Sequence, residues 1–157
     1  MALSPLRYIP KSLSRKDKKK QSRELLKSRR LYKKGTYYTR KKVNYPVTKS
    51  KHLANVRRIY GLNHVSTDMK KTGCSKNILE KIVQKGEGAY YSSGSRPNQT
   101  PQSWGLARLA SAVTGGKAAA VDYSLLKGCD HRGLAFRLAT KARQKKYHTI
   151  RHTSFVP

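Results

Sequence analysis

Apolar residues recur along this chain at helical spacing in several places, and almost nowhere in strict alternation. Leu53, Val56 and Tyr60 predict a helix over 50–60 that Gly61 closes. Ile78, Leu79, Ile82 and Val83 predict a second over 76–85, with Gly86 beyond its end. Thr100 is a good N-cap with Pro101 at the first helical position, and Trp104, Ala107, Leu109, Ala110 and Val113 carry that helix to Gly115 and Gly116. A short helix over 121–127 should follow. A last one should run from Arg132 to about Tyr147, with Asp130 at its start and Leu134, Leu138 and Ala142 on one face. A short strand pair, 43–47 with 89–92, is the limit of the β signal.

Near the N-terminus, Ser14 and Asp17 read as a capping box and Gly35 as a stop, which permits a helix over 15–34. Its apolar content, Leu25, Leu26, Leu31 and Tyr32, is thin for holding it against a core. The fold class expected is therefore mainly α: a small helical central domain with long basic arms, extended or helical, at both ends. The corresponding segments are an arm over 1–51, a domain over 52–147 with a Tyr/Ser/Gly-rich loop at 86–100, and a tail over 148–157.

Charge sharpens this picture. The 157 residues hold 36 Lys and Arg against 7 Asp and Glu, a formal net charge of +29, and a surplus that large repels itself unless an acidic partner neutralises it. Nucleic acid, an acidic protein surface and an anionic membrane are the three candidates. The membrane is the weakest, because no apolar run approaches the roughly 20 residues of a spanning helix, and the first twenty residues lack the apolar centre of a secretory signal. A cytosolic or nuclear setting is expected, with Cys74 and Cys129 as reduced thiols.

Residues 1–51 hold 18 Lys and Arg against Asp17 and Glu24. Lys18, Lys19, Lys20, Arg23, Arg29, Arg30, Lys33, Lys34, Arg40, Lys41 and Lys42 are the expected contacts to a polyanion or acidic surface. Such a segment should be disordered until phosphates or carboxylates neutralise it. Tyr32, Tyr37, Tyr38 and Tyr45 interleave with these cations, a pattern suited to stacking on bases or anchoring on a protein.

Catalytic and metal motifs fail on inspection. "TGGKAAA" has Ser111 where a phosphate loop needs its first glycine and Ala118 where it needs a hydroxyl. His148 and His152 lack the glutamate of a zinc protease, and Arg151 between them opposes a cation. Cys129, Asp130 and His131 are consecutive, so their side chains diverge. "STDMKKTGCSKNILEKIVQKG" can be read as a helix-turn-helix with Lys76, Asn77, Lys81 and Gln84 outward, though an ordinary helical hairpin is the plainer reading. No enzyme activity, cofactor, metal or small-molecule substrate is expected.

The neutral stretch "GEGAYYSSGSRPNQTPQSWG", Gly86 to Gly105, combines rigid aromatics with short hydroxyl side chains, which suits either a contact surface or the domain's own core. Tyr90, Tyr91, Arg96 and Trp104, with Arg108 and Lys117 beyond, are its candidate residues. Through "SSGSRPNQT", "SW", "ARLASA", "TGGKA" and Asp122, residues 70–126 resemble a domain family of large eukaryotic DNA viruses of the chlorella virus and mimivirus kind, with relatives in tailed phages. The resemblance implies origin rather than mechanism. Joined to the charge, it leads to the expectation of a virion protein, present in host cytoplasm or nucleus during assembly. The first form is a minor capsid protein bridging shell subunits through its arms. The alternative is a DNA- or RNA-binding protein that condenses or packages the genome.

Overall fold

The computed structural model describes residues 8–47 and 50–153, with side chains as far as Lys145. Seven α-helices and no strand occur among them: α1 (Arg15–Lys33), α2 (Lys51–Tyr60), α3 (Lys76–Ser92), α4 (Pro101–Val113), α5 (Lys117–Val121), α6 (Tyr123–Leu126) and α7 (Leu134–Thr153). The protein is mainly helical, as its periodicity predicts. The chain divides into two compact units, one of Met1–Lys49 with Lys85–Gly105, the other of Ser50–Gln84 with Leu106–Pro157.

The second unit has an ordinary apolar core. Val56, Leu79, Ile82, Leu109, Val113 and Leu126 are fully buried, and Ala119, Ala135 and Ala139, equally buried, lie where α5 and α6 pack on α7. The Tyr60 hydroxyl donates to the Val113 carbonyl near the end of α4, and burial pushes its phenol well above the usual tyrosine range. The helix expected over 121–127 is confined to Tyr123–Leu126 and follows a separate one at Lys117–Val121, the chain turning between them at Asp122 to bring that carboxylate, wholly buried, onto Arg108. Residues 66–72 form a single 3-10 turn at Lys70–Thr72, so the first helix of a helix-turn-helix is missing.

The cysteines are joined, not reduced. Cys74 and Cys129 form a disulfide with their Cα atoms 4.4 Å apart. Glycine makes that approach possible: Gly73 has φ +81, its carbonyl accepts from Asp130 N–H at 2.8 Å, and a Cβ on Gly133 would lie 2.9 Å from the Thr72 carbonyl oxygen. Residues 72–74 and 129–133 therefore touch backbone to backbone.

The first unit corrects the expectation of a free basic arm over residues 8–47. The capping box forms, with Ser14 Oγ accepting from Asp17 N–H at 3.1 Å. From there α1 buries Gln21, Leu25 and Ser28 at i, i+4 and i+7. What it packs on is the neutral stretch. There α3 does not stop at Gly86 but runs on through Ser92, because Gly86 and Tyr90, one turn apart, are both buried. Each glycine costs a helix roughly 1 kcal/mol, which the burial of one large aromatic, about 2–3 kcal/mol, offsets. Residues 89–92 are thus helical, and residues 43–45 pair with a side chain instead of a strand. Asn98, at φ +63, accepts from Val43 N–H and donates to the carbonyls of Val43 and Tyr45, all within 2.9 Å.

Candidate nucleic-acid interface

With Gln21, Leu25 and Ser28 facing inward, helical geometry dictates what faces out. Lys16, Lys19, Arg23, Lys27 and Arg30 follow one another at i, i+3, i+7, i+11 and i+14, and all are exposed. At 100° per residue they fall within an arc of roughly 80° centred opposite the buried face, and at 1.5 Å per residue they extend over about 21 Å. No carboxylate interrupts them. Asp17 is held by Ser14, and Glu24 accepts from the Tyr38 hydroxyl at 2.8 Å and from Lys41 N–H at 2.9 Å. Burial opposes ionisation of Glu24, but those two hydrogen bonds and the nearby Lys27 and Lys41 outweigh it and hold the carboxyl below its usual value. One face of α1 is therefore a continuous positive stripe, with Lys27 also lying over the Tyr38 ring at 4.5 Å.

Two arginines serve the fold instead. Arg40 is 9% exposed, and its guanidinium donates to the Tyr90 carbonyl (2.7 Å), Ser28 Oγ (3.0 Å) and Ser95 Oγ (2.7 Å) while stacking 3.7 Å from the Tyr90 ring centroid. The Tyr90 hydroxyl in turn accepts from Arg40 N–H at 3.0 Å. Burial is the largest influence on Arg40 and lowers its proton affinity, with the Tyr90 neighbour working the other way; an arginine stays charged regardless. Arg29 Nε and Nη2 both donate to the Ser93 carbonyl, at 3.2 and 2.7 Å. Both cations thus meet carbonyls at the C-terminal end of α3, where the helix dipole is negative.

Beside this anchor four tyrosine rings are in contact. Tyr32 and Tyr91 lie parallel, 7° apart with centroids at 6.1 Å, and Tyr37 tilts onto both at 6.1 and 5.2 Å. Tyr91 meets the fully buried Tyr90 edge-on at 5.2 Å. Tyr37 itself is 72% exposed.

Of the cations expected to touch a polyanion, Lys19, Arg23 and Arg30 lie on the stripe, and Lys33, Lys34, Lys41 and Lys42 are exposed. Lys20 donates to the Lys42 carbonyl at 2.8 Å, and Lys18 is half-buried. Arg40 is internal. The stripe adds Lys16 and Lys27, which helical periodicity alone would have found. In the neutral stretch, Tyr90 is core, Tyr91 half-buried and Arg96 exposed, and half-buried Trp104 meets Tyr8 edge-on at 6.1 Å. Gly94 belongs to the same packing: at φ +118, a Cβ there would lie 2.8 Å from Leu25 Cδ2. Arg108 and Lys117 fall in the other unit. Arg108 grips Asp122 through Nε and Nη2, both at 2.8 Å, and that bond raises its proton affinity, while Lys117 is exposed at the start of α5. The side chains of His148 and His152 lie outside the described residues. Cys129 is spent in the disulfide, and the His131 ring lies 4.1 Å from Phe136, stacked at 14°. Among the described residues no helix is long and apolar enough to cross a membrane, and no group of three or more His, Cys, Asp or Glu comes together.

These features define a small, strongly basic, mainly helical protein in which an outward stripe of cations contrasts with an inward anchor. The chain belongs to a family of unknown function (DUF5824), whose model matches residues 5–130 and so takes in the stripe, the tyrosine cluster and the disulfide. No curated protein and no solved structure matches it.

Proposed function

We propose that this chain is a DNA- or RNA-binding protein of a large DNA virus, acting in genome condensation or packaging. The carrying observation is the stripe of Lys16, Lys19, Arg23, Lys27 and Arg30 on a helix whose other face is anchored in a core. A folded stripe presents its charges without first paying to order a coil, and phosphates are the dense anions it suits. The likeness of residues 70–126 to a domain family of large eukaryotic DNA viruses supports a virion setting. The test is the salt dependence of binding to a labelled oligonucleotide. Five phosphate contacts give a slope of log affinity against log salt near −4.5 on duplex DNA. Reversing Lys16, Lys19 and Arg23 to Glu should reduce that slope by about 3; a slope near zero in the native protein sinks the proposal.

A second reading, a minor capsid protein docked on shell subunits, draws support from Leu26 and Val47, which leave 43% and 65% of their surfaces exposed in the basic unit. It no longer draws on extended arms, since residues 8–47 fold. Shells emptied of genome that keep the chain in fixed stoichiometry would favour it over the first.

A further inference from the structure

Tyr37 is the most exposed of the large hydrophobic side chains among the described residues, yet it is not loosely held. Tyr32 and Tyr91 brace it at 6.1 and 5.2 Å, and through Tyr91 the group is rooted on buried Tyr90 and the Arg40 anchor. A rigid aromatic surface of this kind loses little freedom when it takes a ligand. Its surroundings narrow the ligand. Lys33 ends α1 and Lys34 opens the Lys34–Gly35 turn that leads to Tyr37, both of them exposed, and Arg30 ends the stripe one turn earlier. Glu87 precedes Tyr91 by one turn of α3, which puts its carboxylate on the same side of the helix as that ring; burial, then Tyr90 and Glu87, push the Tyr91 phenol up. Cations thus flank the cluster, while the carboxylate makes the rings themselves a poor seat for phosphate and a better one for an uncharged planar group.

We infer that the Tyr32–Tyr37–Tyr91 cluster stacks an unpaired nucleobase, so that this chain binds single-stranded nucleic acid in preference to duplex; the inference rests on the nucleic-acid reading above. A base paired within a duplex is stacked on both faces and cannot meet Tyr37 without being unpaired, whereas a single strand running its phosphates along α1 can turn one base out onto the ring.

The experiment compares the full chain with Tyr37→Ala and Tyr37→Phe on a labelled oligothymidylate, the same strand with abasic sites, and a duplex, each over a range of salt. Tyr37→Ala should weaken binding to the intact strand roughly tenfold, leave duplex and abasic strand within about twofold, and leave the salt slope unchanged. Tyr37→Phe should bind as the native protein does. A Tyr37→Trp chain gives a direct readout, because its added emission should be quenched by the intact strand and not by the abasic one. Equal losses on strand and duplex, or no loss on the strand, overturn the stacking site while leaving the charge-based reading standing. Failure of the native protein to bind either nucleic acid at low salt overturns both. Tyr37 is exposed, so a thermal melt matching the native protein confirms that the variants fold.

Discussion

The two units reach stability by different means. The second closes around aliphatic side chains and alanines, with one buried ion pair and a disulfide as additions. The first holds 19 Lys and Arg against 3 Asp and Glu, and among the described residues its buried apolar side chains are few: Tyr8, Leu13, Leu25, Val43, Tyr90, Pro97 and Pro101. Gln21, Ser28, Arg40 and Ser95 are buried among them. Where aliphatic surface is scarce, the segments are pinned by directed hydrogen bonds: Arg40 and Arg29 on the end of α3, Asn98 on residues 43–45, Gln21 on the Tyr8 carbonyl at 3.2 Å. A strongly basic composition therefore does not preclude a folded unit. It requires that a few cations, Arg40 and Arg29 above all, be satisfied within the fold while most of the others are turned out.

The sharpest way to break this comparison is Arg40→Leu. An apolar side chain of similar bulk would be welcome in the second unit, but here it leaves the Tyr90 carbonyl, Ser28 and Ser95 without their donor. At 1–3 kcal/mol for each buried unsatisfied group, a loss of about 4 kcal/mol is expected. Hydrogen exchange should show amides of residues 15–33 and 85–100 losing protection while those of 106–142 keep theirs. Arg40→Lys should fall between, since an ammonium cannot reproduce the fork. Native-like stability of Arg40→Leu would mean that apolar packing holds both units alike.

Replacing Cys74 and Cys129 together by Ser probes the other side. The bridge closes a loop of 55 residues, for which chain entropy suggests a cost of about 4 kcal/mol or somewhat less. The loss should appear in the second unit alone, as reduced protection of α2, α4 and α7. Unchanged protection there would show that its apolar core suffices without the bridge.

The smallest effect concerns Glu24, which ties residues 38–41 to α1. Its folded-state pKa is depressed, so its contribution is complete above the ordinary glutamate value of about 4.3 and fades as pH falls through the lower, folded one. The difference in melting temperature between native protein and Glu24→Gln should therefore be steady near neutrality and shrink below about pH 4. Being partly exposed, the pair is worth about 1 kcal/mol or less. A gap that widens in acid would contradict this assignment.

Much of the second unit was legible in sequence, because its signals are local. Gly61 closes α2, and the spacing of Leu53, Val56 and Tyr60 and of Ile78, Leu79 and Ile82 marks what faces in. The first unit resisted for a physical reason: its decisive contacts join residues 50 to 64 positions apart and involve polar side chains. Nothing near Arg40 in the chain distinguishes it from Lys41 or Arg30; only the Tyr90 carbonyl and Ser95, fifty or more residues on, do so. Gly86 reads as a helix end because intrinsic propensity is a local quantity, whereas Tyr90 helps keep that turn helical by packing. The disulfide was hidden for the same reason, since it needs Gly73 and Gly133 to bring two distant backbones together.

The first unit is assembled from two stretches of chain separated by residues 50–84, and this gives its folding an order in time. A growing chain stopped at residue 84 already carries the whole cationic helix but none of the segment that takes in Leu25 and Arg40. At about 5–20 residues per second, the wait until residue 105 lasts roughly 3–11 s from the synthesis of residue 49. For that interval the chain is an unsatisfied polycation emerging beside ribosomal RNA, and the neutral stretch is what ends its indiscriminate phase.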